Sequence, residues 1–285
     1  MENTAAQAGR AAIFGGGPLY TDGQPVMDIL RASGFTTVIL WSLHVSDNGD
    51  LYYNDVKIVS NGAYVGDSAW PGLLATLKQA PTSVNRIEVS VGAGGTPDWE
   101  HIMALVDAQG TGPGSILYQN FQALRAATGA DAINSDDESC YDVESTLAFA
   151  HMIATIGFRS FTFAPYTYES YWAQVKQILG DQVDRAYLQC YSGGTGNDPK
   201  QWSQALGMSV DPGLWCRNGA GCAEGDSPAQ VASQLQQWHA SAGIPGGFIW
   251  LYDDIKHCEP STGFTAADYA RAVVRATSAI PAPTR

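Results

Sequence analysis

Positive charge is scarce in this 285-residue sequence: 15 Lys and Arg stand against 28 Asp and Glu, a net charge of −13. Nucleic-acid binding needs Lys and Arg to neutralise phosphate, so the balance argues against that class of partner. It argues equally against an anionic membrane surface. No apolar run of about 18 residues occurs, so no membrane span is expected. The opening MENTAAQAGR lacks the charged and apolar blocks of a signal peptide. Acidic balance, scarce Lys and a cysteine-bearing loop still favour a secreted protein whose signal peptide is absent from this sequence, with a cytoplasmic one as the alternative. Only five Cys are present, and no Cys/His spacing resembles a zinc site. Cys216 and Cys222 close a short Gly-rich loop and could form a disulfide; two unpaired thiols fit that spacing equally well. The five His show no pairing with a Ser or Cys nucleophile. Gly15-Gly16-Gly17 is followed by no Lys-Ser/Thr, so it is not a phosphate loop. Linkers, low-complexity tracts and short repeats are also missing. One domain over 1–285 is expected, with 1–10 and 278–285 as tails.

Apolar and aromatic residues are plentiful. Hydrophobic residues make up 45%, with eight Trp and 13 Tyr, enough for a sizeable core and for flat platforms against sugar faces. Apolar, β-rich runs recur at 11–14, 36–41, 86–91, 131–138, 158–165, 185–191, 208–215 and 247–251. Helical patterns lie between them, as at 70–79, 116–128, 143–156, 171–180 and 228–242. Alternating strands and helices imply a parallel sheet with right-handed crossovers. Eight such units predict a closed (β/α)8 TIM barrel rather than an open sheet. The stretches 46–67 and 216–227 read as long excursions at the strands' C-terminal ends. Their length favours a lid or groove wall.

The fourth run, Asp131-Ala132-Ile133-Asn134-Ser135-Asp136-Asp137-Glu138, is the most informative. On an extended strand, alternate side chains share a face, so Asn134, Asp136 and Glu138 form one polar row. Such a row in a core is costly unless paired or used. Adjacent carboxylates repel, so one tends to stay protonated, as general acid catalysis at a sugar acetal requires.

The run also resembles the Asp-Gly-x-Asp-x-Asp-x-Glu motif of family 18 glycoside hydrolases, the chitinases and endo-β-N-acetylglucosaminidases. Asp131, Ala132, Asn134, Asp136 and Glu138 occupy its positions, with Ala132 replacing Gly and Asn134 replacing Asp. Ser90-Val91-Gly92-Ala93-Gly94-Gly95 is similar to the family's Ser-x-Gly-Gly third strand, with Ala93 at the second Gly. Ala164-Pro165-Tyr166 resembles its Ala-Pro fifth strand, and Gln189-Cys190-Tyr191 its Gln-x-Tyr sixth. Gly246-Gly247-Phe248-Ile249-Trp250 resembles the eighth, which ends in Trp. The resemblance spans about residues 11–272. Asp137 favours the bacterial endo-β-N-acetylglucosaminidase branch, while the fifth and sixth strands favour chitinases, so both stay open.

The resemblance implies substrate-assisted, retaining cleavage of β-linked N-acetylglucosamine glycans, either chitin oligosaccharide or N-glycan core, with no cofactor and no metal. Glu138 would protonate the glycosidic oxygen, Asp136 would orient the substrate's acetamido N–H, and Tyr191 would hydrogen-bond its carbonyl. Gln189 would sit beside Tyr191, and Trp250 would floor the sugar. Asn134 could hydrogen-bond Asp136 without sharing its charge. Trp41, His44, Tyr52, Tyr53, Tyr166, Tyr168, Trp215 and Tyr252 lie near predicted strand ends, and some should line a sugar groove, Trp41 and Tyr166 among them. Asp253 and Asp254 could hydrogen-bond sugar hydroxyls or cap the last loop.

Blander readings stay open beside these. Asp136 and Glu138 could be a structural pair on a solvated loop, and Gln189, Tyr191 and Trp250 could be core residues. A divalent metal could use Asp136, Asp137, Glu138, Asp142 and Glu144, although on a strand Asp137 points away from Asp136. A catalytically silent, carbohydrate-binding barrel is another class. A hydrolase of a sugar without the acetamido group would need a second carboxylate about 5–5.5 Å from Glu138. Nothing demands more than a monomer.

Overall fold

All eight segments with strand character form strands in the computed structural model, which describes residues 9–278. The tails 1–8 and 279–285 lie outside the described residues. Strands β1 (Arg10–Gly15) and β2 (Thr37–Val45) are followed by a ribbon of β3 (Leu51–Tyr53), β4 (Val56–Ser60) and β5 (Ala63–Tyr64). Then come β6 (Arg86–Val91), β7 (Ala132–Ser135), β8 (Ser160–Phe163), β9 (Val183–Gln189), β10 (Asp211–Trp215) and β11 (Gly246–Trp250).

The parallel order β1-β2-β6-β7-β8-β9-β10-β11 closes on itself, because β1 pairs with both β2 and β11. The fold is the expected (β/α)8 barrel. All eight C-terminal strand ends therefore meet at one mouth. Helices pack outside, and their ends are specified locally. Asp142 accepts from Ser145 N at the start of Val143–Ile156, and Ser227 and Thr265 form capping boxes with Gln230 and Asp268. Helices at Gln24–Ser33, Asp98–Gln109, Pro199–Leu206, Tyr252–Thr262 and Ala266–Thr277 fill further intervals between the strands, beyond the five helical segments named from the sequence. The outer core between strands and helices takes Trp70, Trp99 and Trp172 completely, so these three serve packing.

Both long excursions have internal order. Residues 46–67 carry the antiparallel ribbon β3–β5, built onto the edge of β2. Asn61 and Gly62 both have positive φ, as a type I′ hairpin turn requires. The ribbon packs outward: Gly62 N donates to Asn120 Oδ1 and Asn120 Nδ2 to Gly49 O. None of its described residues lines the cleft at the C-terminal ends of the barrel strands, so the lid or groove wall expected of 46–67 is not what forms there.

The second excursion corrects the cysteine reading. Cys222 pairs with Cys258 on the helix Tyr252–Thr262, and not with Cys216. Cys216 ends up buried, with its Sγ against the Leu251 carbonyl. The loop folds back through bridges Cys216–Asp226 and Asn218–Glu224, which places Cys222 at its tip, facing the helix. Cys140 and Cys190 are free as well.

Candidate active site

The barrel axis is filled in layers by the inward-facing residues of each strand. Lowest is a charged layer: Glu88 is completely buried and accepts from Arg86 Nε, Tyr187 OH and Thr162 Oγ1, each at 2.6 Å. Above it, Asn134 Oδ1 accepts from Ser90 Oγ and its Nδ2 donates to Thr162 Oγ1, both at 2.9 Å. Asn134 is fully buried with both polar ends bonded below the cleft, so it makes no hydrogen bond to Asp136 and does not line the cleft. Apolar rings, Phe14, Tyr187 and Phe248, occupy the opposite half of the axis.

Asp136 is the next layer up. Strand pairing stops at Ser135, and Asp136 N donates to Val91 O at 2.9 Å. Gly92 permits that approach: it has φ +99°, and a Cβ there would sit 2.5 Å from Asp136 O. Asp136 is 2% exposed, and its two oxygens accept from Trp41 Nε1 and Gln189 Nε2, each at 3.2 Å. Gln189 also donates to Ala164 O, so the fifth and sixth barrel strands fix its orientation together. Glu138 lies at the mouth beside Gly94, where a Cβ would come within 2.9 Å of Glu138 Oε2.

Between the two acids, Asp137 turns the chain. It is buried, and its carboxylate accepts from the backbone N–H of Ser139, Cys140 and Tyr141. Asp142 likewise caps a helix. The acidic run therefore does not converge on one point, as a shared metal would need, and no cluster of three or more such ligands occurs among the described residues.

Burial, and then the neighbouring Glu138 carboxylate, hold the Asp136 pKa well above the usual carboxylate range; the Trp41 hydrogen bond pulls the other way. Burial also raises the Glu138 pKa, with Gln189 and Tyr166 holding it down and Asp137 adding to the rise. Burial, aided by Asp136 and Glu138, keeps the Tyr191 pKa far above neutral, so it stays a hydroxyl. The Glu138 charge thus adds to burial in favouring a proton on Asp136.

These groups line a cleft of about 310 Å³ at the barrel mouth. Trp250 is its aromatic centre: it stacks on Tyr191 at 5.9 Å and meets Trp41 edge-on at 4.6 Å. The Trp41–Ser42 and Trp250–Leu251 peptide bonds are cis. Tyr166 and Trp215 supply further walls, and Trp215 is fixed by a 2.7 Å bond from its Nε1 to Asp254 Oδ2. The structure thus brings Trp41, Asp136, Glu138, Tyr166, Gln189, Tyr191 and Trp250 together. It leaves Asp253 outside, where Asp253 Oδ2 accepts from Gly16 N at 2.7 Å and secures the loop after β1. Tyr53 and Tyr252 are buried, and His44 bonds Asp98. Ser192 and Gly193 line the cleft without having been singled out in the sequence. The packing of Gly193 on Tyr166, where a Cβ would meet the ring at 2.9 Å, has no local sequence signal.

A parallel barrel with a buried and a half-buried carboxylate at its C-terminal mouth has the layout of a barrel enzyme's site. No protein-family model and no curated protein matches the sequence. Solved structures do. A fungal endo-beta-N-acetylglucosaminidase from glycosyl hydrolase family 18 superposes with a TM-score of 0.69 at 14% identity, covering 93% of this chain and 98% of that one. The catalytic domain of a family GH18 chitinase from the fern Peteris ryukyuensis gives 0.63 at 18% identity, covering 94% and 99%. A GH18 chitinase from Cycas revoluta in complex with (GlcNAc)3 gives 0.60 at 13% identity, covering 92% and 99%. At these identities the shared property is the fold.

Proposed function

We propose that this chain is a family 18-type glycoside hydrolase that cleaves β-linked N-acetylglucosamine glycans by substrate-assisted retention. The observation that carries the reading is Asp136: buried, raised in pKa, held by Trp41 and Gln189, and set two residues before Glu138 in an aromatic cleft. The matched structures add weight, being chitinases and an endo-beta-N-acetylglucosaminidase, one with (GlcNAc)3 bound.

In this reading Glu138 gives its proton to the glycosidic oxygen as the bond to the anomeric carbon breaks. The substrate's acetamido carbonyl oxygen bonds to that carbon from the opposite face, forming an oxazolinium ion. Asp136 accepts the acetamido N–H and offsets the positive charge that develops there. Tyr191 donates its hydroxyl to the acetamido oxygen, and Trp250 stacks beneath the sugar. Water then attacks the anomeric carbon, the acetamido oxygen leaves, and Glu138 takes the water's proton. Two displacements give net retention. Asp137 is not placed to serve as a protein nucleophile, because its carboxylate is occupied by three backbone amides. The Cys222–Cys258 bridge fits folding in an oxidising compartment, in keeping with secretion.

The test is to incubate the protein with chitin oligosaccharides and with a high-mannose glycoprotein, and to identify products by mass spectrometry. Glu138→Gln serves as the blank. Cleavage of either substrate, lost in the variant, is the expected result and chooses between the two branches. No cleavage of either moves the reading to a binding barrel or to another sugar.

A further inference from the structure

The histidines show no serine partner in the sequence, but the fold supplies one. Near the end of β2, Ser42 and His44 share one face. His44 Nδ1 lies 2.9 Å from Asp98 Oδ2, and its Nε2 lies 2.8 Å from Ser42 Oγ. A carboxylate can only accept, so Nδ1 carries the proton, and the neutral ring accepts from the Ser42 hydroxyl at Nε2. The order is that of a serine hydrolase. Ser42 is 2% exposed, however, and none of the three lines the cleft. A buried serine offers a substrate no approach, so the use of the trio lies in what it ties together.

Asp98 is buried too, in the first turn of the helix Asp98–Gln109. The helix N-terminus and Val45 N, which donates to Oδ1 at 2.8 Å, account for a structural carboxylate there. That account leaves Oδ2 over, and side chains from two separate segments converge on it. One is His44; the other is Thr96, whose hydroxyl stands 2.5 Å away. Thr96 also closes the loop after β6: its Oγ1 accepts from Ala93 N at 3.2 Å and lies 2.8 Å from Ala93 O. Inside that loop Gly94 packs on Glu138, and Thr96 O accepts from the hydroxyl of Ser139, the residue after Glu138. At the other end, Ser42 follows Trp41, the donor to Asp136. A connected chain of contacts thus runs from the support of Asp136 to the support of Glu138.

We propose that Ser42, His44, Asp98 and Thr96 brace the acid pair, with His44, Asp98 and Thr96 as positioning residues that hold the loop 93–96 against Glu138. The kinetic consequence rests on the glycosidase reading above; the mechanical link does not. The loop covers one side of Glu138, and burial is the first cause of the raised Glu138 pKa. Asp136, Asp137, Tyr141, Tyr166 and Tyr191 face Glu138 from the other elements. Cutting the brace without altering any of those groups admits water to Glu138, which then titrates lower.

The test compares Thr96→Val, which removes the hydroxyl and no charge, with Thr96→Ser, which keeps it, and with His44→Phe, which removes both ring nitrogens. Carbon-13 NMR follows the labelled Glu138 carboxyl against pH, and kcat and KM are measured on the glycan that the wild type cleaves. Thr96→Val and His44→Phe should each lower the Glu138 midpoint by about 0.5 pH units or more. Each should reduce kcat by about 10–100-fold with KM within about twofold. Thr96→Ser should stay near the wild type in both. Circular dichroism checks the fold; if His44→Phe does not fold, Thr96→Val carries the test alone. A midpoint unmoved in folded Thr96→Val, or moved equally in Thr96→Ser, overturns the brace and leaves the glycosidase reading standing. A lowered midpoint with kcat unchanged overturns the positioning role. A wild type that cleaves neither glycan, with the midpoint lowered in Thr96→Val and kept in Thr96→Ser, overturns the glycosidase reading and leaves the brace. Labelling of Ser42 by a fluorophosphonate, lost in Ser42→Ala, would make the trio a nucleophile and overturn the positioning role.

Discussion

Trp41 Nε1 donates to Asp136 Oδ2 at 3.2 Å, across 95 residues of sequence. A hydrogen bond to the ionised form lowers a pKa, opposing the burial and the Glu138 charge that raise it. Trp41→Phe keeps an aromatic ring and removes the donor. Asp136 should then titrate higher, so the acidic limb of the kcat/KM profile moves to higher pH while the alkaline limb stays. An unmoved acidic limb would show that Asp136 ionisation does not govern turnover.

In the proposed mechanism the alkaline limb belongs to Glu138, which must hold a proton to act as acid. Burial raises its pKa and Tyr166 holds it down. The limb should therefore lie above the pKa of a free Glu, and Tyr166→Phe should carry it higher still. Glu138→Gln should reduce kcat by about 10²–10⁴-fold with an unchanged unfolding curve. Wild-type turnover in that variant would remove Glu138 from the chemistry.

Asp137 organises the turn that presents Glu138. Asp137→Ala leaves three backbone amides without their acceptor and should cost about 1–3 kcal/mol in urea unfolding. Because the loss acts through the placement of Glu138, kcat should fall more than KM rises. Asp137→Asn, which keeps one acceptor oxygen, should recover part of both. A fall in stability with kcat intact would make Asp137 purely structural.

The bridge between Cys222 and Cys258 spans 36 residues. Cys222→Ser should lower unfolding free energy by about 2–4 kcal/mol, and dithiothreitol should do the same to the wild type. Cys216→Ser, which breaks no bridge, should leave the effect of dithiothreitol in place. Titration of the denatured, unreduced protein should find the three free thiols of Cys140, Cys190 and Cys216. One thiol, or five, would contradict the pairing.

Glu88 compensates buried cationic charge at the base of the barrel, where Arg86 also pairs with Asp184. Glu88→Leu removes one partner of a buried pair and strands the Tyr187 and Thr162 hydroxyls. It should cost about 3–5 kcal/mol in chemical denaturation, well above an ordinary core substitution. A loss within about 0.5 kcal/mol, the range of a surface change, would mean that Asp184 alone neutralises Arg86.

Much of the barrel is legible because local chemistry dictates it. The segment 86–91 coincides with β6, and 116–128, 143–156 and 228–242 coincide with helices whose caps stand in the sequence. The ribbon is signalled too, by Asn61-Gly62 between short β-prone runs. The run 131–138 reads longer than its strand, because Asp137 takes three amides out of the ladder direction. What stays hidden depends on tertiary geometry. Cys222 finds a partner on a distant helix, since the path of its loop decides which sulfur comes within bonding reach. Asp253 looks like a sugar ligand at a strand end, yet the turn into Tyr252–Thr262 aims it at Gly16. Glu88 looks like any charge within a strand until Arg86, Thr162 and Tyr187 converge on it.

The contact between Trp41 and Trp250 has a kinetic consequence. Their rings, 4.6 Å apart, join the second strand to the last, and Asp136 is held between Trp41 and Gln189. The cleft thus has no complete precursor in any half of the chain. Its geometry is complete only once β11 pairs with β1, the most sequence-distant pairing in the ring. Recovery of activity on refolding would then time ring closure itself, lagging any signal from helix formation.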